Sequence, residues 1–96
     1  MAEILDGPQA DAALTELDDW HRTDVTIVRT ASLASFPQAI EVVDRVAVLA
    51  EAADHHPDID IRWRTLTFRL STHSEGGLTE KDFALARQID EVLAAL

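Results

Sequence analysis

Three of the 4 histidines in the chain fall in one short stretch. His55 and His56 stand side by side before Pro57, and His73 follows after two strand-like segments. Imidazole is the side chain whose ordinary pKa, about 6.5, lets it both give and take protons near neutrality. Glu51 and Asp54 lie within one turn of the pair, and both are carboxylates able to partner a protonated ring. A helix C-terminus adds partial negative charge in the same sense. That setting suits a general acid, whereas His73, with only Glu75 nearby, suits a neutral base; the opposite assignment is also chemically open. Three uses compete for such a group: capping or surface decoration, a metal site, and proton transfer. Three histidines plus a water can hold catalytic zinc. Adjacent residues point apart, however, and no His-x-His or His-x3-His spacing occurs, so no metal is expected. His21, alone beside Trp20, reads as structural or surface.

The elements around these residues follow from hydrophobic periodicity. "GPQADAALTEL" predicts a first helix, with Pro8 suited to its first turn. "DDWHRTD" breaks it. "VTIVRTASL" alternates, with Val25, Ile27, Ala31 and Leu33 on one side and Thr26, Thr30 and Ser32 on the other, the pattern of a half-buried strand. "SFPQAIEVVDRVAVLAEAA" predicts a long helix capped by Ser35 and Gln38, with a stripe through Phe36, Ala39, Ile40, Val43, Val46, Ala47 and Ala50. Pro57 cannot continue that helix and disfavours helical angles in the residue before it. His55 and His56 are therefore expected at the helix end. "DIDIRWR" and "TLTFRLST" predict two strands of a hairpin, and "HSEGGL" a loop. "TEKDFALARQIDEVLAAL" predicts a last helix opened by Thr79 and Asp82, with Phe83, Ala86, Ile89, Leu93 and Leu96 as its stripe. Each strand has one apolar face, so helices cover one side of the sheet. The fold expected is an α+β two-layer sandwich with a core containing Ile40, Val43, Val46, Phe68 and Leu70.

Composition narrows the function. A chain of 96 residues with 47% apolar content predicts a single domain, residues 1–96. No cysteine is present, which excludes disulfide and thiolate chemistry and makes the cytoplasm the expected compartment. No run approaches the roughly 18 apolar residues that span a bilayer. "MAEILDGPQA" lacks the basic and apolar blocks of a signal peptide. The 18 acidic against 8 scattered basic residues give a net charge of −10, which argues against direct nucleic-acid binding.

From Glu51 to Asp82 the chain reads E-x3-H-H-P-x5-W-x9-H-x8-D. This resembles the signature of the pterin-4a-carbinolamine dehydratases. "LSTHSEGGLTEKD" is similar to that family's strand-end histidine and following loop, and "FPQAIEVVDRVAVLAEAADHHP" to its central helix; "LDDW" resembles its first helix end. The resemblance covers essentially the whole chain. It implies removal of water from 4a-hydroxytetrahydropterin (4a-hydroxytetrahydrobiopterin) to give quinonoid dihydropterin in tetrahydropterin recycling, with no metal and no cofactor. It assigns catalysis to His55, His56 and His73, and substrate-binding or supporting roles to Glu51, Asp54, Pro57, Trp63 and Asp82. It further implies a four-stranded antiparallel sheet with three helices on one face, a pterin substrate, and a homodimer or homotetramer without membrane association. "TASLAS" departs from the family pattern: Ala31 and Leu33 stand where aromatics are common. A non-catalytic dimerisation or assembly cofactor on the same scaffold is the alternative the resemblance also carries. Retention of all three imidazoles favours catalysis.

Overall fold

The computed structural model describes residues 3–96. Its elements are α1 (Gly7–Ala13) running into a 3-10 turn (Leu14–Glu16), β1 (His21–Thr23), β2 (Thr26–Ser32), α2 (Phe36–Ala53), β3 (Asp58–Arg62), β4 (Thr65–Leu70) and α3 (Glu80–Ala94). The strands form one antiparallel sheet in the order β1-β2-β4-β3. All three helices lie over one face, as the alternating strands require. Ile27, Leu66, Phe68 and Leu70 on that face are fully buried. Truncating such a phenylalanine to alanine costs about 3–5 kcal/mol. The opposite face carries hydroxyls, including a cross-strand contact of 3.1 Å between Thr30 Oγ1 and Thr67 Oγ1. α3 is tied to the sheet where Trp20 Nε1 donates to Asp90 Oδ1 at 2.7 Å and Arg29 of β2 pairs with the same carboxylate.

Four features differ from the pattern reading. The segment that breaks the first helix supplies the short strand β1, paired to β2 through the register His21↔Val28. α2 turns Ala39, Val42, Val46 and Ala50 into the core. Val43 is half-buried and packs against the core, Ile40 is half-buried outside that cluster and Phe36 is exposed, so the fully buried positions of α2 are Ala39, Val42, Val46 and Ala50 and not Ile40. The cause is that α2 is apolar over more than one face, and periodicity cannot say which part of a wide stripe meets the sheet. Ser35 caps α2 by accepting from Gln38 N–H at 3.2 Å, but Gln38 Oε1 returns to Ala34 N–H at 2.8 Å, so the capping box is displaced by one residue. Finally, β3 ends at Arg62. Trp63 and Arg64 form the two-residue turn between Arg62 and Thr65, and Trp63 takes a positive φ of 54°, is 71% exposed and has the Arg64 guanidinium over its ring.

Candidate active site

The end of α2 places the paired histidines. Pro57 forbids another helical turn, and Asp54 closes the helix in the left-handed conformation at φ 49°, ψ 44°. His55 N–H reaches back to Ala50 carbonyl at 3.1 Å, and Asp54 N–H to Glu51 carbonyl at 3.2 Å. This reversal sends His55 inward and leaves His56 exposed. His73 lies just past β4. The loop that follows is drawn tight: Thr72 N–H bonds Gly77 carbonyl at 3.0 Å, and Gly76 N–H bonds Thr72 carbonyl at 3.0 Å. Gly76 has φ 75°, which glycine adopts without a Cβ penalty, and a Cβ on Gly77 would stand 3.0 Å from Ile4 Cγ2.

Asp82 joins these elements. It opens α3, is fully buried, and uses both carboxylate oxygens. Oδ2 accepts the Thr79 backbone N–H at 2.9 Å and the Thr72 hydroxyl at 2.8 Å; Oδ1 lies 2.6 Å from His55 Nε2. Thr72 Oγ1 and Thr79 Oγ1 are 2.7 Å apart, and Thr79 Oγ1 accepts Lys81 N–H at 3.3 Å. A carboxylate only accepts hydrogen bonds, so the direction of the network is determined. Thr72 spends its single proton on Asp82, Thr79 donates to Thr72, and His55 donates Nε2–H. The free nitrogen of His55 is therefore Nδ1. One buried carboxylate thus caps α3, anchors the end of β4 and sets the imidazole tautomer at the end of α2.

His56 Nε2 lies 2.6 Å from Glu51 Oε1, a more solvated version of the same arrangement, with the two side chains 58% and 80% exposed. His73 is exposed, and its ring has no hydrogen-bond partner among the described residues. The three imidazoles line one hollow of 240 Å³ together with Asp54, Ser71, Thr72, Ser74 and Lys81. Each imidazole keeps at least one ring nitrogen without a hydrogen-bond partner among the described residues. The arrangement can therefore deliver one proton and remove another within a single ligand's reach.

Glu51 and Pro57 stand beside this hollow. With His56 they line an adjoining apolar groove of 720 Å³ bounded by Val46, Ala47 and Ile59. Trp63 is not brought to the histidines; it lies at the β3–β4 turn. His21 lines a separate depression on the open sheet face with Arg69. Thr72, Ser71, Ser74 and Lys81 are site residues that the sequence reading did not single out. The spacing of Thr79 and Asp82 signals a helix cap but does not reveal that the capping carboxylate also holds His55.

The description Pterin 4 alpha carbinolamine dehydratase matches residues 3–92 of this chain. A Nocardia farcinica protein provisionally named pterin-4-alpha-carbinolamine dehydratase is 61% identical over 90 residues, covering 94% of this chain and 95% of its own length. A Roseiflexus castenholzii protein of the same provisional name is 55% identical over 93 residues, covering 97% of this chain and 100% of its own. Among solved structures, the transcriptional coactivator/pterin dehydratase from Brucella melitensis superposes with a TM-score of 0.91 at 30% identity, covering 94% of this chain and 98% of that one. A pterin dehydratase-like RuBisCO assembly factor of the alpha-carboxysome shares the fold, with a TM-score of 0.63 at 20% identity, covering 76% of this chain and 84% of its own. With its fold, its histidine signature and nearly its full length matched, this chain belongs to the pterin-4a-carbinolamine dehydratase family.

Proposed function

We propose that this protein dehydrates a 4a-hydroxytetrahydropterin to the quinonoid dihydropterin, with His55, His56 and His73 as the proton-transfer groups. One protonated imidazole gives its proton to the 4a-hydroxyl as the C4a–O bond breaks, and water leaves. A second imidazole takes the proton from the adjacent ring nitrogen, whose electrons form the new C=N bond. The two imidazoles then exchange protons with solvent and regain their starting states. No electrons enter or leave, so the reaction calls for no redox partner.

One observation carries the reading: a buried carboxylate fixes the His55 tautomer, with Nδ1 left unpaired, in a hollow shared with two further imidazoles. The carboxylate that caps α3 through Oδ2 keeps its second oxygen for His55, which leaves the ring oriented with Nδ1 available. The arrangement of base and orienting acid is the general one for activated imidazoles. Asp54, which forms no ion pair within 4 Å among the described residues, suits the amino-pyrimidine end of a pterin, where N–H groups are offered to an acceptor. The same reading includes self-association, supported by the open sheet edges at β1 and β3 and by exposed Val48, Ile61 and Trp63.

The test is a titration of the protein with a stable dihydropterin, followed through the imidazole nitrogen signals in heteronuclear NMR. Signals of His55, His56 and His73 should move together while that of His21 stays fixed. Movement of His21 alone, or of none, would remove the pterin site and favour the dimerisation or assembly alternative.

A further inference from the structure

Lys81 is the only lysine in the chain, and it stands on the wall of the histidine hollow. Most of the other cations are paired, Arg64 and Arg69 being the arginines with no carboxylate within 4 Å among the described residues. The net charge is −10, and five arginines are already committed to carboxylates: Arg22 to Asp11, Arg29 to Asp90, Arg45 to Glu41, Arg62 to Asp60 and Arg87 to Glu80. Lys81 has no carboxylate within 4 Å among the described residues, although acidic residues flank it on both sides. Both flanking acids are occupied elsewhere. Glu80 pairs with Arg87 at 2.6 Å, and Asp82 is turned inward onto His55, Thr72 and Thr79. The Lys81 side chain is exposed, whereas Asp82, next in sequence, is fully buried. Among the described residues that line the hollow, Lys81 is the one lysine or arginine and Asp54 the one carboxylate.

The two charges come from different elements, Asp54 from the end of α2 and Lys81 from the start of α3. A pterin has matching polarity along its long axis. Its 2-amino and N3–H donors lie at one end, and the substituent on C6 leaves from the other. A bicycle with its donor end on Asp54 and its reacting carbons among the imidazoles directs the C6 substituent toward the remaining wall.

We propose that Lys81 is a specificity-determining residue that selects pterins whose C6 substituent carries an acidic group, a carboxylate or a phosphate ester, over those with a neutral one. This rests on the pterin reading of the hollow and names the substrate class within it. A partly solvated ion pair of this kind yields a preference of about fivefold at low ionic strength, and salt screens it.

The experiment uses unreactive, fluorescent oxidised pterins, so it reads binding and not turnover. Dissociation constants are measured at low and high salt for 6-hydroxymethylpterin, its phosphate monoester and 6-carboxypterin, with the wild-type protein, Lys81→Gln and Lys81→Glu. The expected result is about fivefold tighter binding of at least one acidic pterin by wild type. The ratio should fall to about one in Lys81→Gln and in high salt, and reverse in Lys81→Glu. The two acidic arms separate carboxylate from phosphate recognition. Equal binding of all three pterins by wild type, or an acid preference that survives Lys81→Gln, overturns the inference and leaves the pterin reading standing. Failure of wild type to bind any of the three overturns both.

Discussion

Replacing Asp82 with asparagine separates the shape of the site from its proton logic. The side chain is isosteric but has one acceptor oxygen and one NH2 donor. Two donors meet at Oδ2, the Thr72 hydroxyl and the Thr79 backbone N–H, and the latter cannot reverse. The asparagine oxygen must therefore take that position, and its NH2 group faces His55 Nε2, now 2.6 Å from Oδ1. His55 then has to present a lone pair at Nε2 and move its proton to Nδ1, the nitrogen that is free in the wild type. Loss of one correctly protonated acid-base group typically costs about 10²- to 10⁴-fold in rate, and a fall in kcat within that range is expected. The stability cost follows from the same bonds. Three hydrogen bonds to a carboxylate, each contributing about 1.5–3 kcal/mol, become neutral ones of about 0.5–1.5. The loss is about 3–4.5 kcal/mol, which lowers Tm by roughly 12–36 °C for a domain of this size. A domain with about 5–15 kcal/mol of stability still folds at room temperature. Turnover, thermal unfolding and the imidazole nitrogen shifts of His55 are the three assays. Wild-type kcat in Asp82→Asn, or an unchanged His55 tautomer, would rule out this role for Asp82.

His73→Ala should reduce dehydratase turnover by about 10²-fold or more, and the double change His55→Ala with His56→Ala should nearly abolish it; a wild-type rate in either variant counts against the assignment. Light scattering at micromolar protein should give a multiple of 10.6 kDa, because β1 and β3 leave edges unpaired and Trp63 is 71% exposed; a monomer mass would contradict this. The Arg22 guanidinium, through its hydrogen bond, holds the Asp11 carboxyl below the ordinary carboxylate range, so the contact stabilises the fold above that range and is lost as pH falls through the depressed value. A carboxyl-carbon NMR titration should show Asp11 titrating low in wild type and returning to the ordinary range in Arg22→Met.

The legible parts of the sequence were those with a local cause. Pro57 ends α2 by removing a donor, so the position of His55 and His56 could be read from one residue. Thr79 and Asp82 announce a helix start through side chains that reach only three residues. The alternation of Leu66, Phe68 and Leu70 names the buried face of β4 without reference to anything else. What escaped depends on partners distant in the chain. Ile40 and Val42 are both apolar, and only the sheet beneath decides that Val42 is the one buried. Trp63 fits a strand by propensity, yet the register Arg62↔Thr65 makes it a turn residue with positive φ. "HRT" is too short and too polar to announce β1, which exists because β2 offers it an edge. The bond from His55 to Asp82 spans 27 residues, and nothing local indicates that a capping carboxylate has a free oxygen aimed at an imidazole.

Three imidazoles in one hollow are proposed to move protons on a carbinolamine. The most direct measurement is the absorbance decay of 4a-hydroxytetrahydropterin, followed by stopped flow with wild-type protein, with the triple variant His55→Ala/His56→Ala/His73→Ala, and with no protein. Rapid decay is expected with wild type, and decay at the uncatalysed rate with the triple variant. Equal rates with wild type and without protein, or equal acceleration by the triple variant, would contradict the proposal.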